Sequence, residues 1–227
     1  MATDEFEKRD EMGLDKSSPP KTEAEARAGY FRMLGAVIFV QSPILGWVAY
    51  FSLRLLPGQA QRMDAKFAFI VQHDLGWVFV AVLAVLLMKT YMAINSNGAR
   101  AAARLDRPDQ HIYKVMSKEK MFSDAPYVLM ATTGTAGRFN RAQRAAFNAD
   151  ESLPVFLVSL VLVAAVCGPA AVVTALITLY GRVNFAEAYK EDQDKRSSGF
   201  MISVIGEYLT IGLVWVCALK SFIPGLP

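Results

Sequence analysis

Histidine and cysteine are nearly absent: two of each in 227 residues. His73 and His111 lie far from Cys167 and Cys217, so no zinc-type ligand spacing exists and no metal site is expected. Both cysteines sit in apolar surroundings, where a free thiol behaves as a small hydrophobe, and they do not report the redox compartment. Net charge is also scarce, at +3, so the overall balance points neither to nucleic acid nor to an acidic substrate. Residues 1–28 lack the positive-then-apolar pattern of a signal peptide. They mix Asp, Glu, Lys, Ser and Pro and are expected to form a polar, disordered or loosely helical tail. No inverted repeat and no pair of Gly/Pro-broken helices is visible, which argues against a transporter.

What is abundant is apolar sequence: 53% hydrophobic residues and a mean hydropathy of +0.27, with 20% charged residues left for connections. A spanning helix needs about 20 mostly apolar residues. Runs meeting that need start at residues 33–55, 67–94, 153–166 (its helix starting earlier), 170–189 and 200–222, the last holding Glu207. The expected fold is therefore an all-α, multi-pass integral membrane protein with five spans. Cys167-Gly168-Pro169 is a tight break that makes the third and fourth spans antiparallel neighbours.

Lys and Arg crowd three regions: the N-terminal tail, the connection after the second span, and the link holding Lys190, Lys195 and Arg196. The opposite side receives only Arg54, Arg62, Lys66 and Lys220. By the positive-inside rule, the tail is expected on the cytoplasmic side. The connection at about 95–135 is basic and long, and loops of this length are usually functional or partly disordered. Within it, 99–105 is expected as a short basic surface helix and 125–131 as an interfacial segment.

Arg141, Arg144, Asn148 and Glu151 are spaced i, i+3, i+7, i+10, one stripe of a helix. Arg182, Phe185, Tyr189 and Arg196 form a second stripe. Measured from the Gly168 turn at ~1.5 Å per residue, Glu151 comes out at ~25 Å, Arg182 at ~21 Å, and Asn148 and Tyr189 both near 30 Å. Both stripes thus reach one level near the edge of the hydrocarbon core. Taken singly, each residue reads as structural: an interfacial anchor, a belt tyrosine, or an intramembrane ion pair of Arg182 with Glu151. An arginine deep in lipid costs about 2.5–3.5 kcal/mol on the mildest scale, so Arg182 must face protein, a cavity or a ligand. Taken together, the arginines, Asn148, Glu151 and Tyr189 suit a small zwitterionic ligand, with guanidinium forks on carboxylates and Glu151 on an ammonium. Glu207 is left to pair with Arg182 or to face an oligomer axis.

Three pieces then match a known pattern in order and spacing: Arg141-Ala-Gln-Arg-Ala-Ala-Phe-Asn-Ala-Asp-Glu-Ser-Leu-Pro154, Gly181-Arg-Val-Asn-Phe-Ala-Glu-Ala-Tyr189 and Arg196-Ser-Ser-Gly-Phe200. They resemble the MAPEG family, membrane-associated proteins in eicosanoid and glutathione metabolism. The resemblance covers roughly residues 67–222. It implies a four-helix bundle (67–227), preceded here by an extra transmembrane helix and short loop (29–66). It also implies a homotrimer in the bilayer, with glutathione bound as cosubstrate between subunits, and an endoplasmic reticulum or other organelle membrane.

By the motif, Arg144, Asn148 and Glu151 hold the glutathione backbone. Arg141 and Arg182 support its carboxylates or the interface, and Tyr189 hydrogen-bonds it. Arg196 is the catalytic arginine that stabilises the thiolate, since a nearby guanidinium favours the charged form. The implied activity is conjugation of glutathione to lipophilic electrophiles or reduction of lipid hydroperoxides. Phe185 and Ser152 stand where the family often has tyrosine. With the extra helix and long connection, these departures support an alternative: a non-catalytic subunit or adaptor of a larger membrane complex.

Overall fold

A computed structural model describes residues 22–105, 111 and 130–223. Their regular structure is helical, in six helices: α1 (Glu23–Arg54), α2 (Gln59–Gln72), α3 (Gly76–Ala102), α4 (Gly134–Ala164), α5 (Gly168–Glu191) and α6 (Ser197–Phe222). All except α2 belong to helical stretches long and apolar enough to cross a membrane. The five-span, all-α reading therefore holds.

The ends of the spans are set by local chemistry. The hydroxyl of Thr22 accepts from the Glu25 amide at 3.2 Å, and the Glu25 carboxylate accepts from the Thr22 amide at 3.0 Å. This capping box starts α1 ten residues before its apolar run, inside the stretch expected as tail. A π turn, Val37–Gln41, interrupts α1 just before Pro43. Proline has no amide hydrogen and its ring crowds the carbonyl four residues back, and a widened turn accommodates both.

The run at 67–94 is not one helix. Asp74 has φ 52, and the Leu75 amide donates back to the Ile70 carbonyl at 3.0 Å. Aspartate is among the few residues that enter the left-handed region easily. Residues 67–72 thus close α2, and α3 starts afresh at Gly76. The Arg54 guanidinium reaches the Asp64 carboxylate and the Tyr50 hydroxyl, folding α2 back on the end of α1. Neither α2 nor the second half of α1 buries a side chain.

The bundle is α3 to α6, with α5 packed against the other three. Its core is built from small and flexible apolar side chains of α3, α4 and α5, among them Ala81, Met88, Leu160 and Ala171. α5 and α6 approach almost backbone to backbone. A Cβ added at Gly181 would lie 2.2 Å from the Ser203 nitrogen, and one at Gly199 would lie 2.2 Å from the Phe185 nitrogen. Small residues at such a seam are how helices associate where lipid removes the hydrophobic drive. The opposite faces leave Val155, Val158, Leu162, Tyr208 and Trp215 exposed, as a bilayer environment requires.

Residues 99–102 are the last turn of α3 and not a separate surface helix. Ala99 and Arg100 are buried there, and the Arg100 guanidinium lies 4.9 Å from the centre of the Phe139 ring of α4. That packing holds the basic segment in the bundle, so the connection is shorter at both ends than 95–135: α3 reaches Ala102 and α4 opens at Gly134. Most of the 125–131 segment lies outside the described residues.

Candidate functional site

The stripe on α4 is about 100° wide, and its two flanks do different things. Asn148 and Ser152, four apart, turn inward toward Arg182 of α5. Arg182 is 3% exposed and spends its donors inside the protomer. One terminal nitrogen donates to the Asn148 carbonyl at 2.5 Å. The other donates to the Ser152 hydroxyl at 2.8 Å and to Glu207 at 2.6 Å, and Nε donates to the same Glu207 oxygen at 3.2 Å. The partner of Arg182 is thus Glu207, one of the two carboxylates the sequence offered, and the pairing with Glu151 is corrected. The reason is the α5–α6 seam. Gly206 sits against Thr178 with no room for a side chain, so its neighbour Glu207 is delivered to the Arg182 level.

Glu151 instead pairs with Arg144 at 2.9 Å along the outer flank of α4, and both residues are exposed. Asn148 lies between the two flanks and is half-buried. It is the residue where the internal Arg182 hub meets the outward pair.

Arg141 does not join either group. Its guanidinium donates to the carbonyls of Lys190 at 3.0 Å, Glu191 at 3.2 Å and Thr132 at 2.7 Å. It satisfies carbonyls that the end of α5 leaves without helical partners. Tyr189, one residue before Lys190, stacks on the buried Phe185 ring with centroids 5.4 Å apart and 19° between planes. After α5 a short 3₁₀ turn, Gln193–Arg196, leads into α6. It places the Arg196 guanidinium 5.7 Å from the centre of the Tyr189 ring. Arg196 is exposed, and its N–H groups have no acceptor among the described residues. A guanidinium resting near an aromatic ring keeps its in-plane donors available for an anion.

The seven sequence-derived residues therefore separate. Arg141 and Arg182 are consumed by internal bonds. Arg144 and Glu151 face outward from α4, Arg196 is exposed at the α5–α6 corner beside the half-buried Tyr189, and Asn148 is shared. Ser152 and Glu207 complete the internal hub, and the helical spacing of Ser152 beside Asn148 was the available signal for the first. Glu23, Arg27, Arg138 and Lys190, which read as tail and loop charges in the sequence, meet in a second charged cluster at the α5 end. Among the described residues, no three His, Cys, Asp or Glu side chains gather as a metal site.

No curated protein matches the chain. The family model described as the MAPEG family matches residues 75–219, which takes in the bundle from the start of α3 to near the end of α6 and leaves α1 and α2 outside it. With that match covering well over half of its length, this integral membrane protein belongs to the MAPEG family, whose members serve glutathione and eicosanoid metabolism.

Proposed function

We propose that the protein is a membrane-bound glutathione transferase that activates the glutathione thiol for attack on lipophilic electrophiles, with lipid hydroperoxides as a second substrate class. The observation that carries this reading is the outward pairing of opposite charges on α4 together with an uncommitted guanidinium at the α5–α6 corner. Charged groups near the hydrocarbon edge that face away from their own protomer call for a polar partner there. A homotrimer supplies that partner by setting the α4 flank of one protomer beside the α5–α6 corner of the next. Arg144 then takes a glutathione carboxylate, Glu151 its ammonium group and Asn148 its backbone, with Asn148 aimed by Arg182. Tyr189 donates a hydrogen bond from its hydroxyl. Arg196 lies beside the sulfur, stabilises the thiolate and leaves it as the nucleophile, so no protein cysteine takes part. In conjugation the new bond is sulfur to the electrophilic carbon, and the leaving group departs with the bonding pair. A cytoplasmic placement of the corner follows from the positive-inside rule and gives access to the glutathione pool.

The test is a glutathione titration of detergent-solubilised protein, followed by ultraviolet thiolate absorbance and by conjugation to a generic aromatic electrophile. Saturable thiolate formation with turnover is expected. Arg196→Ala is expected to raise the pKa of the bound thiol by about one to three units and leave glutathione binding largely intact. A variant that keeps the full rate and the full thiolate signal sinks the assignment of Arg196.

A second reading rests on α1 and α2. They lie outside the family match, and together they carry an exposed aromatic surface of Trp47, Phe51 and Phe69. That surface suits an adaptor inside a larger membrane assembly. Migration as a homotrimer after mild extraction favours the enzyme, and co-migration with a larger assembly favours the adaptor.

A further inference from the structure

The second charged cluster ties the first turn of α1 to the helix end that carries Tyr189. Lys190 of α5 is fully buried, and its ammonium has three donors. They meet Glu23 of α1 at 2.8 Å, Glu187 of α5 at 2.9 Å and Asn95 of α3 at 2.7 Å. The other oxygen of Glu23 accepts from Arg138 of α4 at 2.5 Å, and Arg138 also pairs with Glu191 at 2.6 Å. One turn along α1, Arg27 forks onto both oxygens of Glu187, at 2.5 and 3.2 Å, and donates to the Tyr91 hydroxyl at 3.1 Å. Tyr91 in turn donates to Glu187.

Charge balances in this cluster: Glu23, Glu187 and Glu191 against Arg27, Arg138 and Lys190. Substituting Glu23 alone leaves three cations against two carboxylates around a buried ammonium. The α3 surface is also shaped for the contact, because a Cβ at Gly98 would lie 2.3 Å from the Arg27 Cγ. That atom belongs to the stem of the side chain, which cannot swing aside without displacing its head. Glu187, Lys190 and Glu191 flank Tyr189 in sequence, and Arg141 caps the carbonyls of Lys190 and Glu191. The turn carrying Arg196 starts immediately afterwards.

We propose that the first two turns of α1, through Glu23 and Arg27, clamp the last turns of α5 and act as a positioning element for Tyr189 and Arg196. The proposal rests on the glutathione reading for its functional consequence, and on the cluster geometry alone for the clamp. It gives the segment added outside the family bundle a task at the site: it fixes the corner from which the thiolate is stabilised.

The full chain in mild detergent is compared with Glu23→Gln, Lys190→Met, their double variant and Gly98→Ala. Amide exchange is followed across residues 186–196 and, as an internal control, in α3 and the apolar part of α4. Glutathione titrations record thiolate absorbance per bound glutathione, a signal that a smaller folded fraction does not change. Glu23→Gln and Gly98→Ala are each expected to speed exchange at 186–196 by about tenfold or more, with the control helices unchanged, as loss of a charged hydrogen bond implies. The thiolate signal per bound glutathione is expected to fall in both. Adding Glu23→Gln to Lys190→Met is expected to cost less than the sum of the two single changes, because they share one contact and together restore the charge balance that each alone upsets, although Glu23→Gln still weakens the bond to Arg138. Unchanged exchange at 186–196 in Glu23→Gln and Gly98→Ala overturns the clamp, as does simple additivity in the double variant. Faster exchange with an unaltered thiolate signal overturns the positioning role. Failure of the wild-type protein to bind glutathione overturns the transferase reading, and with it the positioning role, while the exchange data still decide the clamp.

Discussion

Replacing Glu207 by leucine removes the counter-charge of an arginine that is 3% exposed inside a membrane bundle. What remains around Arg182 is the Asn148 carbonyl and the Ser152 hydroxyl, both neutral. Breaking a buried ion pair from one side costs about 3–5 kcal/mol, because the surviving charge stays desolvated without compensation. For a chain of this size each kcal/mol moves the midpoint by about 2–4 °C, so Glu207→Leu is expected to lower it by roughly 6–20 °C. The pair as a whole is a different matter. Arg182→Met with Glu207→Leu removes both charges and fills the space with apolar atoms, a change that is often neutral or stabilising for buried pairs. Asn148 and Ser152 then lose a donor each, but both are neutral and only half-buried, so water can replace the donor and the cost stays well below the ~1–3 kcal/mol of a fully buried unsatisfied group. The double variant is therefore expected above Glu207→Leu and near or modestly below wild type. The assay is the fraction of protein that elutes as the native species after heating in detergent. If Glu207→Leu melts with wild type, or if the double variant is no better than the single one, the Arg182–Glu207 pair does not hold α5 to α6.

Gly181→Ala tests the same seam sterically: its Cβ meets the backbone nitrogen of Ser203 and not a movable side chain. Overpacking of this kind costs about 1–3 kcal/mol or more, so a lower melting midpoint is expected, with wild-type stability refuting the close approach. The α1–α2 hairpin should respond to acid. Arg54 hydrogen-bonds Asp64 and holds its carboxyl below the usual carboxylate range. A depressed carboxylate contributes stability that is present above its unfolded-state pKa and is lost as pH falls through the folded-state value. Trp47 emission, isolated by Trp77→Phe and Trp215→Phe, is therefore expected to hold steady from neutral pH down and to change only below about pH 4; a transition near pH 6 would point to another group.

The broad architecture was legible because it depends on quantities a sequence carries openly. Apolar run length gives the spans, and Cys167-Gly168-Pro169 gives the α4–α5 turn. The break at Asp74 was not legible, because a left-handed residue inside an apolar run leaves hydropathy unchanged. The start of α1 was hidden for a related reason. Glu23 and Arg27 look like solvated tail charges until they are paired with Glu187 and Lys190, some 160 residues away. Helical spacing brought Arg144, Asn148 and Glu151 to one stripe correctly, and depth counting brought Arg182 to their level.

Spacing could not say which member of the stripe Arg182 would meet. A stripe about 100° wide includes both an inward and an outward flank, and residues three or four apart fall on one flank or the other according to how the helix is rotated. That rotation is set by packing, here by Ala145, Ala149, Phe156 and Leu160, the α4 side chains buried in the bundle core. The same packing separates two kinds of charge. A charge turned inward finds its partner within the fold and serves as a strut, as Arg182 does with Glu207. Arg144 and Glu151, one flank over, pair with each other on the outer face of α4, and Arg196 rests exposed beside the Tyr189 ring at the α5–α6 corner, the groups on which the proposed glutathione site is built.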